Sequence, residues 1–204
     1  GWKMNKITLY EKINTAHRRI KNLDGRKIAF VLEGRDSAGK GSFVKFLMKY
    51  DIPFVLRVAG MPSEYSMKHW LSSWEAKLPK ENEIVVYDRS WHTRSWVHPS
   101  FAYCTERQYR NHIVNVQDWE DSQDVEIHKN WLSITEDEQQ KNLLKRKLFK
   151  QWKYSLNDEI ALKKFEIISH YKDLMFAKSP TWNVVRKSES KEKLLDIFLD
   201  ALKP

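Results

Sequence analysis

The chain has 204 residues, a hydrophobic fraction of 41%, nine tryptophans and a formal charge of +9. That is enough apolar side chain for one ordered α/β domain with a small insertion, and it excludes a disordered polyelectrolyte. The single Cys104 excludes an internal disulfide framework and fits a reducing, cytoplasmic setting. With no signal-like leader and no long apolar run, neither secretion nor membrane spanning is expected. Gly1-Trp2-Lys3 ahead of Met4 reads as an expression remnant.

A first helix is predicted over Ile7 to Asn22, ended by Asp24-Gly25. The apolar run Ile28-Ala29-Phe30-Val31-Leu32 then reads as a strand leading into Gly34-Arg35-Asp36-Ser37-Ala38-Gly39-Lys40-Gly41-Ser42 and a helix from Phe43 to Tyr50. Strand, glycine-rich turn and helix form the context of a phosphate-binding loop. Gly34 and Gly39 let the backbone fold back, so that amide N–H groups can face phosphate oxygens. Lys40 would add a cation to the terminal phosphates. Gly41 stands where such loops usually carry the hydroxyl that binds Mg²⁺, and Ser42 comes one residue late. A metal therefore needs another ligand, and Asp36 is the candidate; the alternative for Asp36 is a turn residue capping the next helix.

Further strands are predicted at Pro53 to Val58, Glu83 to Asp88, within Val125 to Ile134, and at Trp182 to Val185. Helices are predicted at Glu64 to Leu78, at Thr105 to Trp119 with Thr105 and Gln108 at capping-box spacing, at Asp137 to Lys147, as one long helix from Leu156 to Lys178, and at Glu189 to Leu202. Strands alternating with helices indicate a parallel sheet covered on both faces, in a single domain spanning 1–204.

The third strand runs into Asp88-Arg89-Ser90-Trp91-His92-Thr93-Arg94. Asp88, at the carboxyl end of a parallel strand, is placed to direct a metal; otherwise it is a simple helix cap. Arg89 and Arg94 could clamp phosphate oxygens, or form surface ion pairs. Downstream, Lys141, Lys145, Arg146, Lys147, Lys150 and Lys153 follow one another with no acidic residue between, after the acidic stretch Asp118, Glu120, Asp121, Asp124 and Glu126. Such local positive charge suits a polyanion, and residues 136–156 sit where phosphate-transfer enzymes carry a lid.

The blocks Gly34-Arg35-Asp36-x-Ala38-Gly39-Lys40-Gly41 and Asp88-Arg89-Ser90-Trp91-x-x-Arg94 closely resemble the polyphosphate kinase 2 family. So do Phe101-x-x-Cys104-Thr105, Lys129-x-Trp131-Leu132-Ser133-Ile134 and Lys150-Gln151-Trp152-Lys153-x-Ser155, over about Ile28 to Val185. The resemblance implies a three-layer α/β/α P-loop kinase-like sandwich with a central parallel sheet and a helical lid. It also implies Mg²⁺-dependent transfer of a terminal phosphoryl group between inorganic polyphosphate and a nucleotide. That nucleotide would be ADP or ATP, AMP, or a guanine nucleotide. By position, Asp36 and Asp88 would hold metal, Lys40 the transferring phosphates, and Arg89 and Arg94 the transition-state charge. Gly34, Arg35, Ser37, Ala38, Gly39, Gly41, Ser42 and Lys129 would contact phosphate or nucleotide, and Lys150 and Lys153 would be lid cations. Relatives associate, so a homo-oligomer, dimer or tetramer, is expected.

The chain departs from the family pattern at His92 and Thr93, which replace Tyr-Asn, and at His98, where an acidic residue is usual nearby. Lys147-Leu148 replaces Asp-Pro. With no carboxylate partner evident by spacing, both histidines read as structural. Two other readings stand beside the first: an ATP-dependent nucleoside monophosphate kinase, and a basic module that holds polyanions without turnover. The second would have no use for Asp36 or Asp88, because carboxylates weaken polyanion binding without a metal.

Overall fold

A computed structural model describes residues 4–204, apart from the side chains of Asn157 and Ser190; Gly1-Trp2-Lys3 lie outside the described residues. Five strands, β1 (Lys27–Gly34), β2 (Val55–Val58), β3 (Glu83–Asp88), β4 (Glu126–Ser133) and β5 (Trp182–Arg186), form one sheet in the order β2-β3-β1-β4-β5. Every pairing is parallel. In such a sheet the crevice lies at the carboxyl ends beside the central strand, where the chain order reverses.

The two-residue period of β1 sends its side chains to both faces. Ile28, Phe30 and Leu32 pack with Phe43 and Leu47 of α2 (Lys40–Lys49) and with Phe198 of the last helix, Ser190–Ala201. Ala29 and Val31 pack against Trp70, Trp74, Tyr87 and Trp91. Both faces are covered, as a parallel sheet requires. The first helix, α1 (Lys6–Lys21), lies against the Phe30 side through Leu9, Ile13 and Ala16.

Two predicted helices are each broken into two. The segment from Glu64 becomes α3 (Glu64–Lys68) and α4 (Trp70–Glu75), with His69 at φ −123 and ψ 53 between them. Past the break, Trp70 Nε1 donates at 2.8 Å to the carbonyl of Trp91, in the turn that follows β3. The long helix predicted from Leu156 divides at Lys164 into α8 (Leu156–Lys163) and α9 (Phe165–Lys178). Between β3 and α6 (Glu106–Ser122) lies α5 (Thr93–Ser100), a helix the sequence pattern does not announce. Seven of its eight residues are buried, the polar Thr93, Arg94, Ser95, His98 and Ser100 among them, so its burial does not follow an apolar–polar period. The basic segment forms α7 (Glu136–Phe149) and a short turn of 3₁₀ helix at Gln151–Lys153, which lead into α8 as a helical lid over the strand ends.

Candidate active site

At Gly34 β1 turns with φ 144, and a Cβ there would lie 2.5 Å from the Leu132 carbonyl oxygen, so neighbouring β4 backbone enforces glycine. Ser37 at φ 68 and Gly39 at φ 109 complete the loop. Helix α2 starts at Lys40 with no side chain capping it, which leaves its first amides for an anion. The Lys40 ammonium is buried inside the loop and donates to the carbonyls of Gly34 at 2.7 Å and Arg35 at 3.1 Å. Burial, then repulsion from Arg89, lowers its pKa to about 8, against the pull of Asp36, Asp88 and Glu33.

Asp88 ends β3 in register with Leu32 and Val58, beside the loop. Arg89 takes a left-handed φ of 66 while its N–H donates to the Leu32 carbonyl at 2.9 Å. A non-glycine residue held there is strained, and the surrounding bonds must fix it. The twist aims its guanidinium back at the loop, where Nη2 meets the Asp36 carboxylate at 2.8 Å. Glu33, which opens the loop stretch and drew no role from the sequence, supplies the fixing. Fully buried, its Oε1 accepts from the Ser90 amide at 2.8 Å and the Ser90 hydroxyl at 2.9 Å, and its Oε2 from Trp96 Nε1 at 2.9 Å. One carboxylate thus ties the phosphate loop to the strand end that carries Asp88 and Arg89. Glu33→Gln turns an acceptor into a donor facing these donors; it should lower stability by about 1–3 kcal/mol, read as a fall in the denaturant midpoint.

A cleft of about 740 Å³ opens above the loop. Its walls carry eight cations, Lys40, Lys45, Arg89, Lys145, Arg146, Lys150, Lys153 and Lys187, against two carboxylates, Asp36 and Asp88. Ser42, one residue later than the usual hydroxyl, lines it too. Lys187, which follows β5, gave no signal in the sequence; its Nζ donates to the Ser37 carbonyl at 2.6 Å, and burial lowers its pKa. A second cavity of about 500 Å³ shares Asp36, Ser37, Ala59, Arg89 and Arg146 with the first. It is lined by Met61, Pro62, Trp96, Phe101, Tyr103 and Ile168, with the Phe101 and Tyr103 rings stacked at 5.5 Å. Arg146 is held there by Asp158 at 2.8 Å.

Three expected contacts fall elsewhere. Arg35 belongs to the loop by its backbone, but its guanidinium donates to the Phe165 carbonyl at 3.0 Å and Ser169 Oγ at 2.6 Å and lies 3.6 Å over the Phe165 ring. Burial outweighs the attraction of Glu136 and lowers its pKa to about 10. Arg94 lines neither cavity; it is buried over Trp70 and donates to the Met67 carbonyl at 3.0 Å. Lys129 is corrected most plainly. It lies in mid-strand opposite Val31, not at the carboxyl end, so its side chain emerges on the tryptophan face. There it donates to Glu120 at 2.8 Å and Ser179 at 2.8 Å, buried away from the loop. His92 has a carboxylate partner after all, Glu120 at 2.9 Å, and both are buried. His98 is buried as well; burial and then Arg94 push its pKa down to about 4.

The model of the polyphosphate kinase 2 family matches residues 4–203. The chain belongs to the polyphosphate kinase 2 family. It is 30% identical over 184 residues to NDP-polyphosphate phosphotransferase 2 of Ruegeria pomeroyi, covering 84% of this chain and 54% of that protein. It is 32% identical to the GDP-polyphosphate phosphotransferase of Mycolicibacterium smegmatis, covering 82% and 63%. The crystal structure of polyphosphate kinase 2 from Arthrobacter aurescens TC1 superposes with a TM-score of 0.85 at 22% identity, over 95% of this chain and 76% of that one. The fold is therefore that of the P-loop kinase-like members of the polyphosphate kinase 2 family. The chain spans 54% to 63% of the length of these two curated relatives. Among the described residues no helix is long and apolar enough to cross a membrane.

Proposed function

We propose that this protein transfers a terminal phosphoryl group between inorganic polyphosphate and a nucleoside diphosphate or monophosphate. The observation that carries the proposal is the single cleft in which a phosphate loop, two carboxylates and a wall of lid cations face one another. A linear polyanion fits the cationic cleft, and a nucleoside fits the adjoining aromatic cavity. Gln139, buried there with an unpartnered Oε1, offers an acceptor to an amino group on a base. Relatives named for NDP, GDP and ADP support the nucleotide class without choosing the base.

Phosphoryl transfer needs in-line placement and charge neutralisation more than covalent chemistry. The attacking oxygen, on a nucleotide phosphate, is already anionic, so no general base is required. Lys40 and the loop amides hold the transferring group, and Arg89 neutralises charge as it develops. Asp36 and Asp88 would hold Mg²⁺, which supplies charge neutralisation on the phosphate oxygens. Among the described residues no cluster of three metal-binding side chains exists. Two carboxylates beside phosphates are nevertheless a donor set suited to Mg²⁺, which keeps several waters. Asp36 would exchange its ion pair with Arg89 for the metal.

The same proposal takes 1–204 as one domain with 136–156 as its lid. It also places the protein in the cytoplasm as a homo-oligomer. A lone, half-buried Cys104 supports the first placement, and a mass measurement in solution checks the second.

Incubating the protein with Mg²⁺, ADP, GDP or AMP, and polyphosphate should yield the next higher nucleotide, followed by chromatography. Turnover with ATP as the sole donor, or none with any nucleotide, refutes the proposal. Lys150→Ala with Lys153→Ala should weaken polyphosphate binding and reduce the slope of log affinity against log salt by about two, one for each cation removed. An unchanged slope removes both lysines from the polyanion path.

A further inference from the structure

Lys187 is the first residue past β5, where it opens a short turn of 3₁₀ helix. The sheet order puts it across the phosphate loop from Asp88 and Arg89. β1 carries the loop; β3 lies on one side of it, and β4 and then β5 lie on the other. All five strands are parallel, so their carboxyl ends open on one crevice. Register fixes the level. Gly34 pairs with Leu132, and Ser133, next along β4, pairs with Arg186. Lys187 therefore stands level with the loop, on the side away from β3.

Two lysines hold the carbonyls of the loop. Lys40 takes those of Gly34 and Arg35 from inside, and Lys187 takes that of Ser37 from the β5 side, at 2.6 Å. Ser37 has a left-handed φ of 68, so a bond to its carbonyl helps to fix a strained stretch of backbone. That bond uses one N–H of an ammonium that has three. The rest of the head group faces the cationic cleft. Among the described residues no carboxylate forms an ion pair with Lys187. Glu138 attracts it, but the Glu138 Oε1 accepts from the Thr135 amide at 3.1 Å in the cap of α7. Arg146 and Lys145 of the lid repel it. A half-buried ammonium among cations, with no counter-charge of its own, calls for an anion.

The two cavities say which anion. Lys187, Lys145, Lys150 and Lys153 line the cleft and not the aromatic cavity. The aromatic cavity instead takes Ala59, Gly60 and Met61 from the segment after β2, at the opposite edge of the sheet from β5. We propose, resting on the transfer reaction put forward above, that Lys187 is a substrate-contacting residue of the polyphosphate side alone: it binds oxygens of the inorganic chain while it pins Ser37, and it does not touch the nucleotide. The loop is thus held between two ammonium groups, one beneath the transferring phosphate and one beside the chain that follows it.

Calorimetric titration of the full chain with long-chain polyphosphate and, separately, with ADP and Mg²⁺, over a series of salt concentrations, tests the assignment. Lys187→Met should weaken polyphosphate affinity about tenfold, as for a lost charge-assisted bond. It should also reduce the slope of log affinity against log salt by about one. ADP affinity should stay within about twofold, and in steady state KM should rise for polyphosphate and not for ADP. Lys187→Arg keeps the charge and the donor and should recover most of the loss. If Lys187→Met does not fold, the Lys187 Cε resonance of the unaltered chain carries the test: polyphosphate should shift it saturably, and ADP should not. Parent affinity and slope in Lys187→Met, an equal loss of ADP binding, or a Cε resonance that polyphosphate leaves in place overturns the assignment. A parent that binds polyphosphate but phosphorylates no nucleotide refutes the reaction alone, and the binding differences still decide the role of Lys187.

Discussion

Replacing Lys40 by alanine should lower kcat/KM for nucleotide phosphorylation by about a thousandfold, the upper end for a preorganised charge-stabilising donor. Two losses combine. The ammonium disappears from the centre of the loop, and so do its bonds to the carbonyls of Gly34 and Arg35, which keep those oxygens from facing an incoming phosphate. The same group sets a pH limit. Buried, and close to Arg89, the ammonium loses its proton at about pH 8 in the free protein. The charged form is the competent one, so kcat/KM should fall as pH rises through that value. A bound phosphate favours the charged form, so the fall in kcat should come at higher pH. Steady-state rates between pH 6 and 10 check both. A variant within tenfold of the parent, or a kcat/KM that is flat across pH 8, removes Lys40 from its role.

Glu120→Ala should cost about 3–5 kcal/mol of folding stability, because it leaves a buried ammonium without its counter-charge. Glu120 accepts from Trp91 Nε1 at 3.0 Å, His92 Nε2 at 2.9 Å and Lys129 Nζ at 2.8 Å, all away from water. Urea unfolding of Glu120→Ala, Lys129→Met and the double variant measures the coupling. The double variant should recover much of the loss, since it removes both charges together. Acid titration of the parent gives the same quantity another way. Burial alone would raise the Glu120 pKa, but His92 and Lys129 outweigh it and hold it at about 2 against an ordinary 4.5. A depressed folded-state pKa gives stability that is complete above about pH 4.5 and is lost as pH falls toward 2. The amount is about 3 kcal/mol. A loss under 1 kcal/mol in the single variant would show that the pair contributes nothing to stability.

The loop and the central strands were legible because their signals are local. Ile28 to Leu32 is an apolar run closed by glycine, and the capping box at Thr105 and Gln108 forms as its spacing predicts. What escaped depends on partners far along the chain. The resemblance put Lys129 against phosphate or nucleotide, but β4 runs on to Ser133, and four further residues put the strand end beyond it. His92 seemed to lack a carboxylate because Glu120 lies 28 positions away, on another helix. The breaks at His69 and Lys164 carry no glycine or proline; the second falls beside Phe165, whose carbonyl takes Arg35 from across the molecule. Glu33 did leave a trace. An acidic residue after five apolar ones, in the middle strand of a sheet, cannot reach water, and must have buried donors waiting for it.

The Arg35 clamp ties the phosphate loop to the junction between α8 and α9. Its backbone carbonyl receives Lys40, and its guanidinium grips Phe165 and Ser169 where α8 gives way to α9. Any swing of α8 about Lys164 therefore pulls on the hydrogen bonds that Lys40 makes to the Gly34 and Arg35 carbonyls. A displacement at this junction, far along the chain, is therefore transmitted to the loop backbone that Lys40 holds.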